Sequence, residues 1–318
     1  MMRFLAGLTA VFLLAAPASA APVDTGHLIA ELVPSAQGIA PGQTIHVALR
    51  QTIDKGWHTY WRNPGDSGEP TRIAWALPAG WTSGDLIWAP PHRLPVGPLV
   101  NYGYSGEVLL PVAITAPADA KAGQSVTLKA VASFLVCEEI CVPEEGALEL
   151  ILPVTAAPAS PDAKWGAVID RAVAASPKPA GLAATFQKDD KGLKLAVTGP
   201  ALKGADLSEA YFFPYEGVVI DHAKPQVIER GPDGLTLTLA PGYGFQGPTA
   251  PARFDGVLSV GGAAYEVSAT SGPAPAGAAG LGPPPAKAPP SSGVGLGLPP
   301  AVAFALLGGP ILNLMPCV

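Results

Sequence analysis

The sequence predicts a mostly β protein of two β-sandwich domains joined by a helix, and three features lead there. Apolar residues recur at every second position through several short segments, the period of a strand with one buried face. Gly and Pro number 37 each and charged residues make up 14%, a composition that dilutes helix formers and favours strands joined by turns. A single segment has helical spacing instead. At about 100–200 residues per domain, the 318 residues are enough for two.

The chain begins Met1-Met2-Arg3, continues with an uncharged apolar run from Phe4 to Ala16, and reaches the small residues Pro17-Ala18-Ser19-Ala20-Ala21. That order is a secretory leader, 1–20, cleaved after Ala20; a membrane anchor is the alternative, but the run is shorter than the ~20 residues of a spanning helix. Alternation then marks Ile45, Val47 and Leu49, the series Val108 to Ile114, Val126 to Phe134, and Leu148 to Val154. Between them Gly56 to Gly106 reads as loop-rich, yet it holds five of the six tryptophans and is expected to be packed. Ser160-Pro161-Asp162 offers an N-cap with Pro at the first helical position, ahead of Trp165, Val168, Ile169, Ala172 and Val173. A second alternating block runs through Leu193, Leu195, Val197, then Leu235, Leu237, Leu239, then Val257 to Val267.

From Gly272 to Leu298 the residues are Gly, Pro, Ala and Ser with little else, a linker reaching roughly 30 Å as a flexible coil or roughly 80 Å as polyproline. Pro299 to Val318 is uncharged and apolar, about the length that spans a bilayer. It reads as the start of a membrane domain of a longer protein, with a hydrophobic tail packed on the soluble domains as the alternative. The net charge of −6 is dispersed, with no Lys/Arg run to neutralise a phosphate backbone, so nucleic acid is not an expected partner. No Ser–His–Asp order, phosphate loop or metal-ligand cluster stands out, which leaves hydrolase chemistry without support.

Three cysteines, Cys137, Cys141 and Cys317, are too few for a disulfide scaffold in an exported chain. On a continuing strand Cys137 and Cys141 would stand about 13 Å apart, beyond the reach of a disulfide, so Glu138-Glu139-Ile140 must turn. A bridge closing so small a ring stabilises little and suits a bond that is made and broken. Cys137 has the opposite parity to Val126, Leu128, Phe134 and Val136, which points its sulfur away from the core and toward an attacking thiolate. Two other readings stay open: a static bridge pinning a hairpin, and metal binding by the two thiolates with a histidine. Glu138, Glu139, Glu144 and Glu145 surround the pair, and nearby anions disfavour a thiolate; the reduced pair is expected to be a sluggish nucleophile until a partner docks. Cys317, in Asn313-Leu314-Met315-Pro316-Cys317-Val318, follows a helix breaker at membrane depth, a position either for a redox cysteine or for an inert buried thiol.

The segments Cys137-Glu138-Glu139-Ile140-Cys141-Val142-Pro143 and Asn313 to Val318 resemble the DsbD/ScsB family of membrane protein-disulfide reductases, and His58 to Gly68, Phe213-Pro214 and Ile220-Asp221-His222 are similar to its larger, ScsB-like amino-terminal region. The resemblance implies an immunoglobulin-like periplasmic domain, and together with the residue pattern the expected fold is two immunoglobulin-like β-sandwich domains joined by a helix, then a Pro/Gly linker and the start of a transmembrane segment. It implies a cysteine pair that takes electrons from the protein's own membrane domain, fed by cytoplasmic thioredoxin, and passes them to thioredoxin-like or disulfide-bonded proteins of the periplasm. Cys317 matches the first of the membrane cysteines, and Cys141 is the sulfur expected to meet the membrane thiol. A cap loop in the family maps by position to Pro91–Tyr104, with Tyr102 or Tyr104 over the sulfurs, and Glu138 and Glu139 are candidate partner contacts. The three-residue spacing departs from the five of the better-known DsbD domain, so partner choice does not transfer.

The expected organisation is a leader (1–20), a redox domain (21–157), a connecting helix (158–178), a second β domain (179–271), a linker (272–298) and a truncated membrane segment (299–318). The expected activity is protein-disulfide reduction at the periplasmic side of the inner membrane, with no cofactor and no resident metal. The alternative is a periplasmic β-sandwich binding or copper-handling module with a structural disulfide.

Overall fold

The alternating segments form strands whose inward residues make one continuous core. In the computed structural model, which describes residues 18–190, 192–245 and 251–285, the strands Ser125–Cys137 and Cys141–Pro153 pair antiparallel without a break, from Ser125 opposite Pro153 to Cys137 opposite Cys141. Val126, Leu128, Ala130, Ala132, Phe134 and Val136 point to one face with Leu148, Leu150 and Leu152. They meet Leu28, Leu32, Val47, Leu49, Leu110 and Val112 from a five-stranded sheet built on Leu28–Pro34, Thr44–Ile53 and Glu107–Thr115. Two sheets thus share a core, as period-two burial requires.

The helix occupies Gly166–Ala175, shorter than the expected 158–178. Pro161 lies in a bridge to Ala36 rather than at the first helical position, and Asp162 Oδ1 accepts the Trp165 amide at 2.7 Å. Ile169 packs on Val33, Ala48 and Leu109, with Trp165, Val168, Ala172 and Val173 alongside. The helix therefore covers the outer face of the five-stranded sheet with the residues its spacing had marked.

The Trp-rich stretch is packed but is not mostly loop. It contributes Thr59–Gly65, Arg72–Ala76, Thr82–Leu86, His92–Val96 and Leu99–Tyr104, of which the first, fourth and fifth form a small sheet. Its alternation is obscured because Asn63-Pro64-Gly65 sits in a register shift between Tyr60 and Gly65, where an irregular strand takes turn-forming residues. Trp61 is fully buried, and Trp57, Trp75, Trp81 and Trp88 lean on the main core.

The second alternating block makes a larger sheet with its own core of Leu193, Leu195, Leu235, Leu237, Phe254 and Leu258. The two cores meet along two paired strands of that sheet, since Val257 of Arg253–Val260 lies in the first core and Leu258 in the second. Tyr211–Pro214 sends Tyr211 and Phe213 into the first core and Phe212 into the second, and the described residues up to Pro284 form one compact unit. The start of the Gly/Pro-rich segment also belongs to the fold: Arg230 N–H donates to Gly282 O, Thr236 Oγ1 donates to Ala278 O, and Ala278 is buried. Small residues let the chain lie flat on its neighbour there, which composition alone reads as linker. No described helix is long and apolar enough to cross a membrane. Residues 1–17 of the expected leader, 286–298 of the expected linker and the expected membrane segment 299–318 with Cys317 lie outside the described residues.

The junction between the cores is polar at its centre. The Tyr102 hydroxyl lies 2.9 Å from both Tyr211 Oη and His222 Nδ1, all buried. Tyr102→Phe leaves two buried groups short of a partner and is expected to cost about 1–3 kcal/mol, read as a lower denaturant midpoint with an unchanged rate of disulfide reduction by dithiothreitol.

Candidate functional site

The site begins with the geometry of one hairpin. Cys137 donates its N–H to His58 O at 3.0 Å and accepts His58 N–H at 2.8 Å. Its main-chain groups are therefore engaged on the side away from Cys141. In an antiparallel ladder the residue facing the unbonded side forms the close type of pair, near 4.5 Å between Cα atoms. Cys137 and Cys141 stand 4.1 Å apart and are joined by a disulfide. The turn is the hairpin-like alternative, three residues long, with Glu138 N–H donating to Ile140 O.

The two sulfur-bearing residues differ in exposure. Cys137 is 2% exposed, whereas Cys141 is open to solvent. Cys137 keeps the expected parity, since Val136 belongs to the core and Cys137 does not, but its face is covered rather than open. The expectation of an outward, accessible Cys137 is corrected on that point. Tyr60, itself buried, places its hydroxyl 3.6 Å from Cys141 Sγ; a disulfide sulfur carries no proton, so the hydroxyl is the donor. Burial pushes the Tyr60 hydroxyl pKa up, opposed in part by a hydrogen bond with Ser67, and keeps that proton in place. Gly68, at φ +101°, lies against the Tyr60 ring where any Cβ would collide with it.

Tyr102 and Tyr104 do not cap the sulfurs. Tyr102 is spent at the junction with Tyr211 and His222, and the Tyr104 hydroxyl donates to Ala89 O at 2.7 Å. Both are deep in the first core, because Leu99–Tyr104 is an inner strand paired with Thr59–Gly65. Tyr60, the residue at the sulfur, belongs to the His58-Thr59-Tyr60 stretch already singled out by resemblance; what sequence could not supply was the bridge from His58 to Cys137, 79 residues away.

The four glutamates also separate. Glu138, Glu139 and Glu145 are exposed, and Ile140 between the tip and Cys141 is 68% exposed. Glu144 faces the other way and is buried, with Oε1 2.5 Å from His27 Nδ1 and Oε2 taking the Thr25 hydroxyl at 2.7 Å. His27 in turn stacks on Trp57 at 3.6 Å between ring centroids. Glu144 therefore ties the hairpin to residues beside His58 and adds no open charge at the sulfurs. His58 is 6% exposed, its ring meets Tyr60 edge-on at 5.1 Å, and its Nε2 has no hydrogen-bond partner among the described residues.

With this geometry in place, the family described as "Thiol:disulfide interchange protein DsbD, N-terminal" matches residues 30–153. Those residues are similar to a DsbD amino-terminal domain. The matched span holds both cysteines, Tyr60 and His58. The crystal structure of the N-terminal periplasmic domain of ScsB from Proteus mirabilis is similar in fold, with a TM-score of 0.56 and 18% identity over 77% of this chain and 94% of that one. No curated protein matches.

Burial holds the His58 pKa below its ordinary 6.5. The unfolded chain therefore binds this proton before the folded chain does, and acid favours unfolding. The melting temperature is expected to fall as pH drops from about 6.5 through the lowered folded value, and the His58→Phe variant is expected to lose that component of the pH dependence in a thermal-melt series.

Proposed function

We propose that the Ser125–Pro153 hairpin is the working end of a periplasmic thiol–disulfide exchange module in a membrane protein-disulfide reductase. One observation carries this reading: a closed disulfide between one exposed and one buried cysteine, at the tip of a hairpin inside a span similar to the DsbD amino-terminal domain. Exchange requires a thiolate to attack one sulfur while the other leaves. Cys141 is the sulfur an incoming thiolate reaches, and Cys137 is the leaving group and, in the return step, the resolving thiol. The exposed Ile140 with Glu138 and Glu139 rings Cys141 and forms the contact surface for a partner.

The direction of flow in this reading is the one the family resemblance implies. A thiolate of the protein's own membrane domain, to which Cys317 belongs, opens the disulfide, and the dithiol then reduces disulfides of periplasmic thioredoxin-like or other disulfide-bonded proteins. On this reading the chain works in the periplasm at the inner membrane, with cytoplasmic thioredoxin as the upstream source of electrons. We read residues 21–157 as an immunoglobulin-like redox domain and 179–271 as a second immunoglobulin-like β domain without a cysteine. Support for a bond that cycles comes from the ladder: thirteen paired positions hold the hairpin in register, and a five-residue ring adds only about 2 kcal/mol in the chain-entropy model. On this reading the fold does not depend on the bridge.

A static bridge would leave the exposed sulfur inert. In the full-length protein, Cys137→Ser leaves Cys141 without its resolving thiol and is expected to accumulate mixed disulfides with membrane and periplasmic partners, seen as dithiothreitol-sensitive bands. Cys141→Ser, whose remaining thiol is buried, is expected to trap little. Absence of adducts in both variants, with reductase activity retained, rules the assignment out.

A further inference from the structure

His58 is a buried imidazole that nothing above employs. It is directly opposite Cys137 and exchanges both main-chain hydrogen bonds with it. Opposed residues of an antiparallel pair project to the same face, with Cβ atoms about 4.5–5.5 Å apart. Cys141, opposite Cys137 on the other side, shares that face, and so does Tyr60, two residues beyond His58. The contacts agree: the His58 ring touches the Tyr60 ring, and the Tyr60 hydroxyl touches Cys141 Sγ. Yet Nε2 of His58, at 6% residue exposure, has no partner among the described residues. An orphaned buried nitrogen carries a desolvation cost that native structures rarely leave unmet.

In the oxidised state neither sulfur carries a proton, so the neighbouring strand has no side-chain donor to offer. Reduction creates one. We propose that His58 Nε2 is the acceptor for the Cys137 thiol of the reduced pair, and the base that takes its proton when Cys137 resolves a mixed disulfide. This rests on the exchange reading given above. In the resolving step the Cys137 S–H proton moves to Nε2, Cys137 Sγ forms a bond to Cys141 Sγ, and the bond from Cys141 to the partner sulfur breaks. The partner leaves with the electron pair as a thiolate and takes up a proton, while the imidazolium returns its own to water. Over the full cycle the dithiol loses two electrons and two protons to a partner disulfide. Burial, which keeps the imidazole neutral near pH 7, leaves Nε2 free to accept. The titratable and charged groups around it are Tyr60 on its own strand, Cys137 and Cys141 across it, Glu138, whose carboxylate lies against Gly56, and Asp54 and Lys55 in the preceding turn.

The test needs no protein partner. Reduced full-length chain is treated with Ellman's reagent to place thionitrobenzoate on Cys141, and its release as Cys137 attacks is followed by absorbance across pH. His58→Phe keeps an aromatic ring against Tyr60 but removes the base. It is expected to slow release roughly tenfold at neutral pH, less than the usual general-base effect because a thiol ionises partly unaided, and to shift the rising limb toward the thiol's own range. A variant with native near-ultraviolet circular dichroism and the wild-type rate and profile overturns the proposal. Should the variant not fold, the imidazole nitrogen resonances of the wild-type chain decide: a shift of Nε2 between oxidised and reduced protein supports it, and no shift overturns it. Failure of the wild-type chain to release thionitrobenzoate at all rejects the exchange reading itself.

Discussion

The main-chain bond between Cys137 and His58 is the constraint on which the site depends. By occupying the donor and acceptor of Cys137 on one side, it makes the pairing with Cys141 the close kind. The register that delivers this pair is fixed along the whole length of Ser125–Pro153, because a slip of one residue would turn Val126 through Val136 out of the core. Hydrophobic burial many residues away thus sets the distance between two sulfurs. On the proposed reading, opening their bond leaves that ladder intact and uncouples oxidation state from folding.

The strand that carries His58 and Tyr60 is held from behind by the second half of the chain. Asn63 Nδ2 donates to Pro214 O at 2.8 Å, and Trp61 lies against Phe213 and Tyr215. Tyr102, paired beside it on Leu99–Tyr104, reaches Tyr211 and His222. The second sheet therefore buttresses the wall of the disulfide site instead of adding chemistry of its own there. Arg62, stacked at 4.0 Å over Tyr215, continues the same seam toward the surface.

Much of the core was legible because burial follows parity in regular strands. Every second residue from Ile45 to Leu49, Val108 to Ile114, Val126 to Phe134 and Leu148 to Val154 faces inward, and the helical spacing from Trp165 to Val173 marks the residues that pack. Parity also assigned Cys137 to the non-core face. It could not show that another strand covers that face, since the covering residues come from His58 and Tyr60, far off in sequence. The same limit explains Glu144: its charge was visible, but its partners Thr25 and His27 join it only through the fold. Tyr102 and Tyr104 were placed by order along the chain, and order does not reveal which strand is inner.

The account's central claim is that the Cys137–Cys141 bond is an exchangeable one, and its reduction potential tests that most directly. Equilibrating the full chain against glutathione or dithiothreitol redox buffers, with thiol counts at each point, gives the midpoint. A value above about −300 mV, with the fold retained in the dithiol form, is the expected result. A bond that stays closed at potentials well below that, or whose opening unfolds the hairpin, would mark a structural bridge and contradict it.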